Sequence, residues 1–324
     1  MPWGTRKLAD GSSLPEIAFG TWTAGHGQEV VDQVQQALDV GFTHIDTAQV
    51  YGNEDEVGQA IGQDASDLHI TTKWSGRKSM NESLHDSLNW LGVEAVDLYL
   101  IHHPRIAGDD IAGSWADFLK LKADGYTRSS GVSNFGIEHL DEIKHAGLEM
   151  PVANQILLHP YVPFAKTKAL LDYHNKHNIV TEAYSTLWPL THDNDGKVTK
   201  ALDKISKKHH VQNEQVLFAW ARAKGAVVVT TSRRRERLEN YLDAGDLYLT
   251  HKEITAIDRA GGAPDEFNYH RAQIFAPITL AVIALILALA WFWRRQRSSK
   301  AGRLSDGPRA AGYDTLPQDA PQRA

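Results

Sequence analysis

The stretch Asp46-Thr47-Ala48-Gln49-Val50-Tyr51-Gly52-Asn53-Glu54 decides how this chain is read, because two further polar residues follow it at corresponding places. Lys73 closes the run His69-Ile-Thr-Thr-Lys, and His102 closes the run Asp97-Leu-Tyr-Leu-Ile-His. Each stands at the C-terminal end of a predicted strand. In a barrel of parallel strands, that end is where catalytic side chains converge. Asp46, Tyr51, Lys73 and His102 are therefore the candidate catalytic set, and their meeting at one face points to an enzyme.

Working outward, short β-rich runs alternate with helix-patterned segments. Strands are predicted over Ala18–Thr21, Thr43–Thr47, His69–Lys73, Val96–Ile101, Ser130–Ser133, Val152–Ile156, Val180–Tyr184 and Ala226–Thr231. Helices are predicted over Val30–Val40, Glu54–Ile61, Asn81–Leu91, Ser114–Ala123, Ile137–Ala146, Lys166–His177, Gln212–Ala223 and Glu236–Leu242, with Gly41, Gly92, Gly125 and Gly225 as C-caps. Parallel neighbours need crossover helices, and eight such alternations close into an α/β fold, a (β/α)8 TIM barrel. The 324 residues, 42% of them hydrophobic, hold one barrel of roughly 250 residues and an appendage.

The appendage is a different kind of segment. From 274 to 293 run 20 uncharged residues, Ile-Phe-Ala-Pro-Ile-Thr-Leu-Ala-Val-Ile-Ala-Leu-Ile-Leu-Ala-Leu-Ala-Trp-Phe-Trp. As a helix they would span about 30 Å, a bilayer's hydrocarbon thickness. Tyr269 lies just before the run, Trp291 and Trp293 end it, and Arg294-Arg295-Gln-Arg297 follows as an interfacial anchor. The division expected is a barrel over 1–265, a linker over 266–273, a transmembrane helix over 274–293 and a basic, disordered tail over 294–324. That tail carries seven Lys/Arg against three Asp/Glu, or +4, so the rest of a chain of net charge −6 carries −10.

The overall charge argues against nucleic-acid binding, and zero cysteines exclude disulfides and thiolate chemistry. His209-His210 sits beside Lys207-Lys208 without a local carboxylate set, which reads as a solvated helix end, and no metal is expected. The N-terminus lacks the apolar run of a signal peptide, so nothing there directs export. The positive-inside rule would place the basic tail in the cytosol, yet a helix this near the C-terminus can insert after synthesis. A single-pass tail anchor with a cytosol-facing barrel is expected, its organelle unspecified.

The motifs resemble those of the aldo-keto reductase family, whose tetrad is Asp, Tyr, Lys and His. The resemblance begins at Asp10-Gly11 before Leu14-Pro15 and at Gly20-Thr21-Trp22. It runs through Gly131-Val-Ser-Asn-Phe135, Asn154-Gln155, His159-Pro160-Tyr161 and Glu182-Ala-Tyr-Ser185, then Thr230-Thr-Ser232 and Glu236-Arg237-Leu238, and so covers about 260 of 324 residues. It implies hydride transfer from NADPH to a small aldehyde or ketone. Tyr51 would be the proton donor, since a free phenol has a pKa near 10. Lys73 is expected to lower that value, Asp46 to keep the lysine charged, and His102 to bond the carbonyl oxygen.

The same resemblance assigns Ser133, Asn134 and Gln155 to the nicotinamide carboxamide, Tyr184 to stacking on its ring, and Ser185 and Leu187 to the pyrophosphate. Thr230, Thr231, Ser232 and Arg237 fall where the adenosine 2′-phosphate is held. Many relatives have lysine at Thr231, which brings NADH into contention, though Arg233, Arg234, Arg235 and Arg237 could replace its charge. NADPH is the expected cofactor. Trp22, Trp74 and Trp188 are expected to line an apolar approach to the site, Trp74 with the barrel wall as its alternative place. In the resembled family the connections here at Pro104–Gly113, Trp188–Lys197 and Ala263–Gln273 wall the substrate pocket, and the brevity of the first and last, with the Thr-Thr-Ser loop, resembles the branch that reduces α-keto amides and conjugated polyketones. Two rival readings are an aldose or glycerol-type reductase and a nucleotide-binding regulatory subunit resembling potassium-channel β subunits.

Overall fold

Eight parallel strands close into a barrel in chain order: β1 (Ile17–Gly20), β2 (His44–Asp46), β3 (His69–Trp74), β4 (Val96–Ile101), β5 (Thr127–Ser133), β6 (Ala153–Leu157), β7 (Val180–Tyr184) and β8 (Ala226–Thr230). The last strand pairs back onto the first, with Val228 opposite Ile17 and Thr230 opposite Phe19. The computed structural model describes residues 3–62, 65–193 and 195–264. The barrel unit runs to Ala263. Among the described residues no helix is long and apolar enough to cross a membrane. The segments expected at 266–273, 274–293 and 294–324 lie outside them.

The crossover helices are α1 (Gln28–Val40), α2 (Glu54–Ile61), α3 (Met80–Leu91), α4 (Ile111–Ala123), α5 (Ile137–His145), α6 (Phe164–Lys176), α7 (Asn213–Ala223) and α8 (Arg235–Asp243). Helix α1 buries one stripe with Val30, Val34 and Ala37 and turns its polar face outward, whereas α7 is buried on all sides from Gln215 to Ala221. Gly41, at φ +111°, ends α1 in the left-handed region, where a side chain would be strained. Among the described residues, two long helices lie outside the eight predicted alternations, Lys197–His209 between β7 and α7 and His251–Ala260 after α8, besides the short helices Pro104–Ala107 and Pro189–His192. The second long helix starts with a reciprocal cap in which Thr250 and Glu253 satisfy each other's backbone donors. β5 starts at Thr127, three residues ahead of its predicted start, because polar Thr127, Arg128 and Ser129 pair with β4 all the same.

A period-two alternation sorts every strand. On β3, Ile70 and Trp74 join the shell of apolar side chains between sheet and helices, whereas Thr71 and Lys73 face the lumen. Below Lys73 the lumen holds the bonded pair His44 and Thr71 together with an apolar cluster. Leu98, Leu100, Ala153 and Val227 pack there with Leu8 and Leu14 from an N-terminal hairpin (Thr5–Lys7 with Ser13–Pro15) that closes the barrel's N-terminal end. Ser12 Oγ reaches Ser129 Oγ at 2.8 Å and fixes the hairpin to β5. With the bottom sealed, ligands have access at the strands' C-terminal ends.

Helix α2 packs against the end of α3 through Gly58, where a Cβ would lie 2.1 Å from the Trp90 carbonyl oxygen. Helix propensity alone favours alanine there by roughly 0.5–1 kcal/mol. The backbone contact reverses the sign, so Gly58→Ala should destabilise the barrel by about 1–3 kcal/mol, read as a lower urea midpoint at unchanged slope. A stabilised variant would mean that α2 is not seated on α3 in this way.

Candidate active site

Lys73 ends the lumen face of β3 with its side chain fully buried. An ammonium removed from water has to be surrounded by acceptors. Its Nζ donates to Asp46 Oδ1 at 2.6 Å, to the Thr47 carbonyl at 2.8 Å and, more weakly, to Tyr51 Oη at 3.4 Å. Asp46 ends β2, and its second oxygen accepts from Gln155 Nε2 of β6 at 2.7 Å across the lumen. Tyr51 comes from the 3-10 turn Gln49–Tyr51, and its ring meets His102 edge-on with centroids 5.7 Å apart. The phenol and the imidazole therefore face one small region above Lys73.

The turn that carries Tyr51 is held by residues that the sequence reading did not single out. Asn53 Nδ2 donates to the carbonyls of Thr21 and Gly25 at 3.1 and 3.2 Å, and Thr21 Oγ1 donates to Thr47 Oγ1 at 2.8 Å. Gln49 accepts from Ser75 Oγ. Gly52 follows in the left-handed region. The available signal was position, since Asn53 belongs to the opening stretch and Thr21 to the Gly-Thr-Trp motif.

Electrostatics separate the groups. Burial works against the Lys73 ammonium, but Asp46 and Tyr51 together outweigh it and raise its pKa. His102 is pushed down to about 3, first by burial and then by the charges of Lys73 and His103, so it is a neutral imidazole. At Tyr51 the expected lowering by Lys73 is present but outweighed. Burial raises its pKa by more than Lys73 lowers it, and Asp46 adds to the rise, so the phenol ends above its ordinary value. Glu54, at the start of α2, is raised to about 7 by burial while Thr72 and Ser87 donate to its carboxyl at 2.5 and 3.0 Å.

Four of the candidate cofactor residues form one network with this set. Asn134 Nδ2 donates to the His102 carbonyl at 3.1 Å and to Ser133 Oγ at 3.0 Å, and Ser133 Oγ donates to the Gln155 carbonyl at 3.0 Å. Tyr184 Oη donates to Asn134 Oδ1 at 2.8 Å. Asn134 and Ser185 both adopt positive φ, +63° and +57°, at the ends of β5 and β7. Non-glycine residues hold that conformation only where the surroundings impose it.

The remaining candidates stand along the same rim without a bond to the tetrad. Leu187 is partly buried just after β7, Thr230 ends β8, and Thr231 and Ser232 follow it. Arg237, in the first turn of α8, is ion-paired with Glu214 at 3.1 Å. Trp22 and Trp188 are 67% and 44% exposed at the mouth, and Trp188 stacks on His192. Trp74 is in the wall instead, 7% exposed, with its indole N–H donated to the Lys78 carbonyl at 3.0 Å. Among the described residues no cluster of acids and histidines is arranged to hold a metal ion.

This geometry agrees with comparison to known proteins. The sequence profile of the aldo/keto reductase family matches residues 16–261. The NAD/NADP-dependent indole-3-acetaldehyde reductase of Schizosaccharomyces pombe is 34% identical over 267 residues, 78% of this chain and 94% of that one. Methylglyoxal reductase DkgA of Escherichia coli K12 is 34% identical over 274 residues, covering 81% and 97%. The crystal structure of an aldo/keto reductase from Brucella melitensis matches with a TM-score of 0.71 at 35% identity, over 80% of this chain and 99% of that one. The chain belongs to the aldo/keto reductase family and is an oxidoreductase of a family that works with nicotinamide cofactors.

Proposed function

We propose that the barrel reduces aldehydes and ketones to alcohols with NADPH, Tyr51 giving the proton. The observation that carries this reading is the phenol of Tyr51 facing His102 above a lysine whose other donors are committed to Asp46 and Thr47. Bound nicotinamide supplies the hydride. A carbonyl oxygen held between Tyr51 and His102 receives the phenolic proton as negative charge develops on it. The neutral imidazole orients that oxygen, and the Lys73 ammonium favours the phenolate left behind. Ser133, Asn134 and Gln155 offer the amide and hydroxyl groups that a carboxamide needs, and Tyr184 offers a ring face beside them.

The preferred substrates are small α-dicarbonyls and apolar aldehydes. Exposed Trp22 and Trp188 give the mouth apolar walls. The two curated relatives are named for methylglyoxal, itself an α-ketoaldehyde, and for indole-3-acetaldehyde. NADPH is favoured over NADH because Arg237 stands in the first turn of α8, five residues after Ser232 in the sequence, where a helix N-terminus and a guanidinium suit a phosphate.

A separate proposal concerns residues 274–293, read from sequence alone. Twenty uncharged residues with aromatic and arginine flanks match the length of a membrane span, and a reductase requires a cofactor that the cytosol keeps reduced. The tail would then anchor a cytosol-facing barrel.

Three outcomes are expected. Tyr51→Phe should lower turnover of methylglyoxal and indole-3-acetaldehyde by about 10²–10⁴-fold while NADPH still binds by fluorescence titration. Wild-type turnover in that variant would remove the assignment, and nucleotide binding without any turnover in the wild type would favour the regulatory reading. Arg237→Ala should weaken NADPH much more than NADH, since only NADPH carries the 2′-phosphate; equal losses would indicate general damage. Protease added to intact organelles should digest the barrel and spare an epitope placed after Ala324, whereas recovery of all the protein in the soluble fraction would rule out the anchor.

A further inference from the structure

Strand β7 carries a second carboxyl group into the lumen. Glu182 is fully buried, with Gln155 of β6 and Val227 of β8 as its register partners on either side. Among the described residues neither of its carboxyl oxygens meets a donor in good hydrogen-bond geometry, the Gln155 amide beside it giving only a weak pull toward the charged form. A buried polar group in that condition is uncommon and requires a reason. The donors of the layer are turned elsewhere. Lys73 points to Asp46, Thr47 and Tyr51, and the Gln155 amide beside Glu182 is directed to Asp46 Oδ2 at 2.7 Å.

The charges that bear on Glu182 come from two strands, Asp46 on β2 and Lys73 on β3, while β6 offers the Gln155 amide and β8 only Val227. Burial acts most strongly against its charged form and Asp46 adds repulsion. Lys73 and Gln155 pull the other way without prevailing, and the pKa is pushed up to about 8. Lys73 in turn acts on Tyr51, His102 and, in the layer beneath, His44. Tyr51 also senses Asp46 and Tyr184.

We propose that Glu182 is a positioning residue that controls the proton on Tyr51 through Lys73. With Glu182 protonated, the lumen holds one cation and one anion, Lys73 and Asp46, and their charges cancel beneath the phenol. When Glu182 ionises it releases one proton, and the lumen gains a negative charge that opposes loss of the phenolic proton. No bond to carbon or cofactor changes in this step. The consequence falls on alcohol oxidation, for which Tyr51 must first lose its proton. Reduction, which uses the protonated phenol, retains its donor further into the alkaline range. The inference rests on the reading of Tyr51 as proton donor.

The test uses the full chain and two readouts across pH: oxidation of benzyl alcohol with NADP+, and ultraviolet tyrosinate absorbance taken as the difference from Tyr51→Phe. The second needs no activity. Glu182→Gln and Glu182→Leu both remove the charge, one keeping the shape and one fitting the apolar lumen. Both should move the alkaline limb and the Tyr51 titration to lower pH by about one unit, and Glu182→Asp should restore the wild-type position. An unchanged titration in Glu182→Gln overturns the inference, as does a shift in the glutamine variant that the leucine variant lacks. If Tyr51→Phe keeps its turnover and its alkaline limb, the proton-donor reading has failed. If it loses both while Glu182→Gln titrates like wild type, only the role of Glu182 has failed.

Discussion

A lysine ammonium with no exposed surface constrains everything at the top of this barrel. Taking such a charge out of water costs several kcal/mol, and the interior recovers that cost only if acceptors stand at each of its donors. Asp46 and the Thr47 carbonyl lie within 2.8 Å of Lys73 because β2 and β3 are paired in register, Asp46 opposite Thr71. The Thr47 amide donates to the Thr71 carbonyl at 2.8 Å and carries the pairing one residue past β2. Gln155 then reaches across from β6 to the far side of Asp46, which requires a closed barrel of this diameter. Leu100, opposite Lys73 on β4, offers the ammonium no polar group, and Leu98, Ala153 and Val227 add apolar surface to the lumen.

The same burial explains why the phenol is less acidic than its neighbourhood suggests. A lysine beside a tyrosine favours phenolate, and considered as a pair the two would lower the pKa of Tyr51. Tyr51 is itself withdrawn from water, however, and Asp46 offsets part of the lysine's field. The resting site therefore keeps its proton on the phenol. His102 stays neutral for the related reason that its charged form would be both buried and close to Lys73. One permanent cation, a protonated phenol and a neutral imidazole form an arrangement suited to donating a proton to an oxygen, without a competing acid at the same spot.

Much of this was legible in the sequence. Lys73 and His102 announced themselves as polar residues closing apolar runs, and strand parity then places Trp74 opposite to Lys73, in the wall. Glu182 was not legible by the same rule. The run Val180–Tyr184 alternates, but both faces of a parallel barrel strand are buried, so periodicity alone does not say which face is the lumen. The helix Lys197–His209 was passed over for a different reason: eight alternations already satisfied closure, and nothing in barrel geometry calls for an extra helix between β7 and α7. The pin formed by Thr21, Thr47 and Asn53 depends on contacts between residues 26 and 32 positions apart, which local pattern does not encode.

The arginine run after β8 shows why counting charges does not decide a cofactor. Arg233 is paired with Glu29, Arg234 with Glu236, Arg235 with Glu239 and Arg237 with Glu214, so none of the four is a free cation awaiting a phosphate. The first three pairs have both partners at least half exposed, and such pairs are worth roughly 0–1 kcal/mol and are screened by salt. Arg237 differs. Its pair is the least exposed of the four, and its guanidinium lies over the Tyr241 ring at 5.6 Å, which holds it in one orientation on the first turn of α8. A fixed guanidinium loses less entropy on meeting an anion than a mobile one. The distinction between the two nicotinamide dinucleotides therefore depends on what a 2′-phosphate gains at Arg237 over what Glu214 already provides, with Thr231 supplying no second cation.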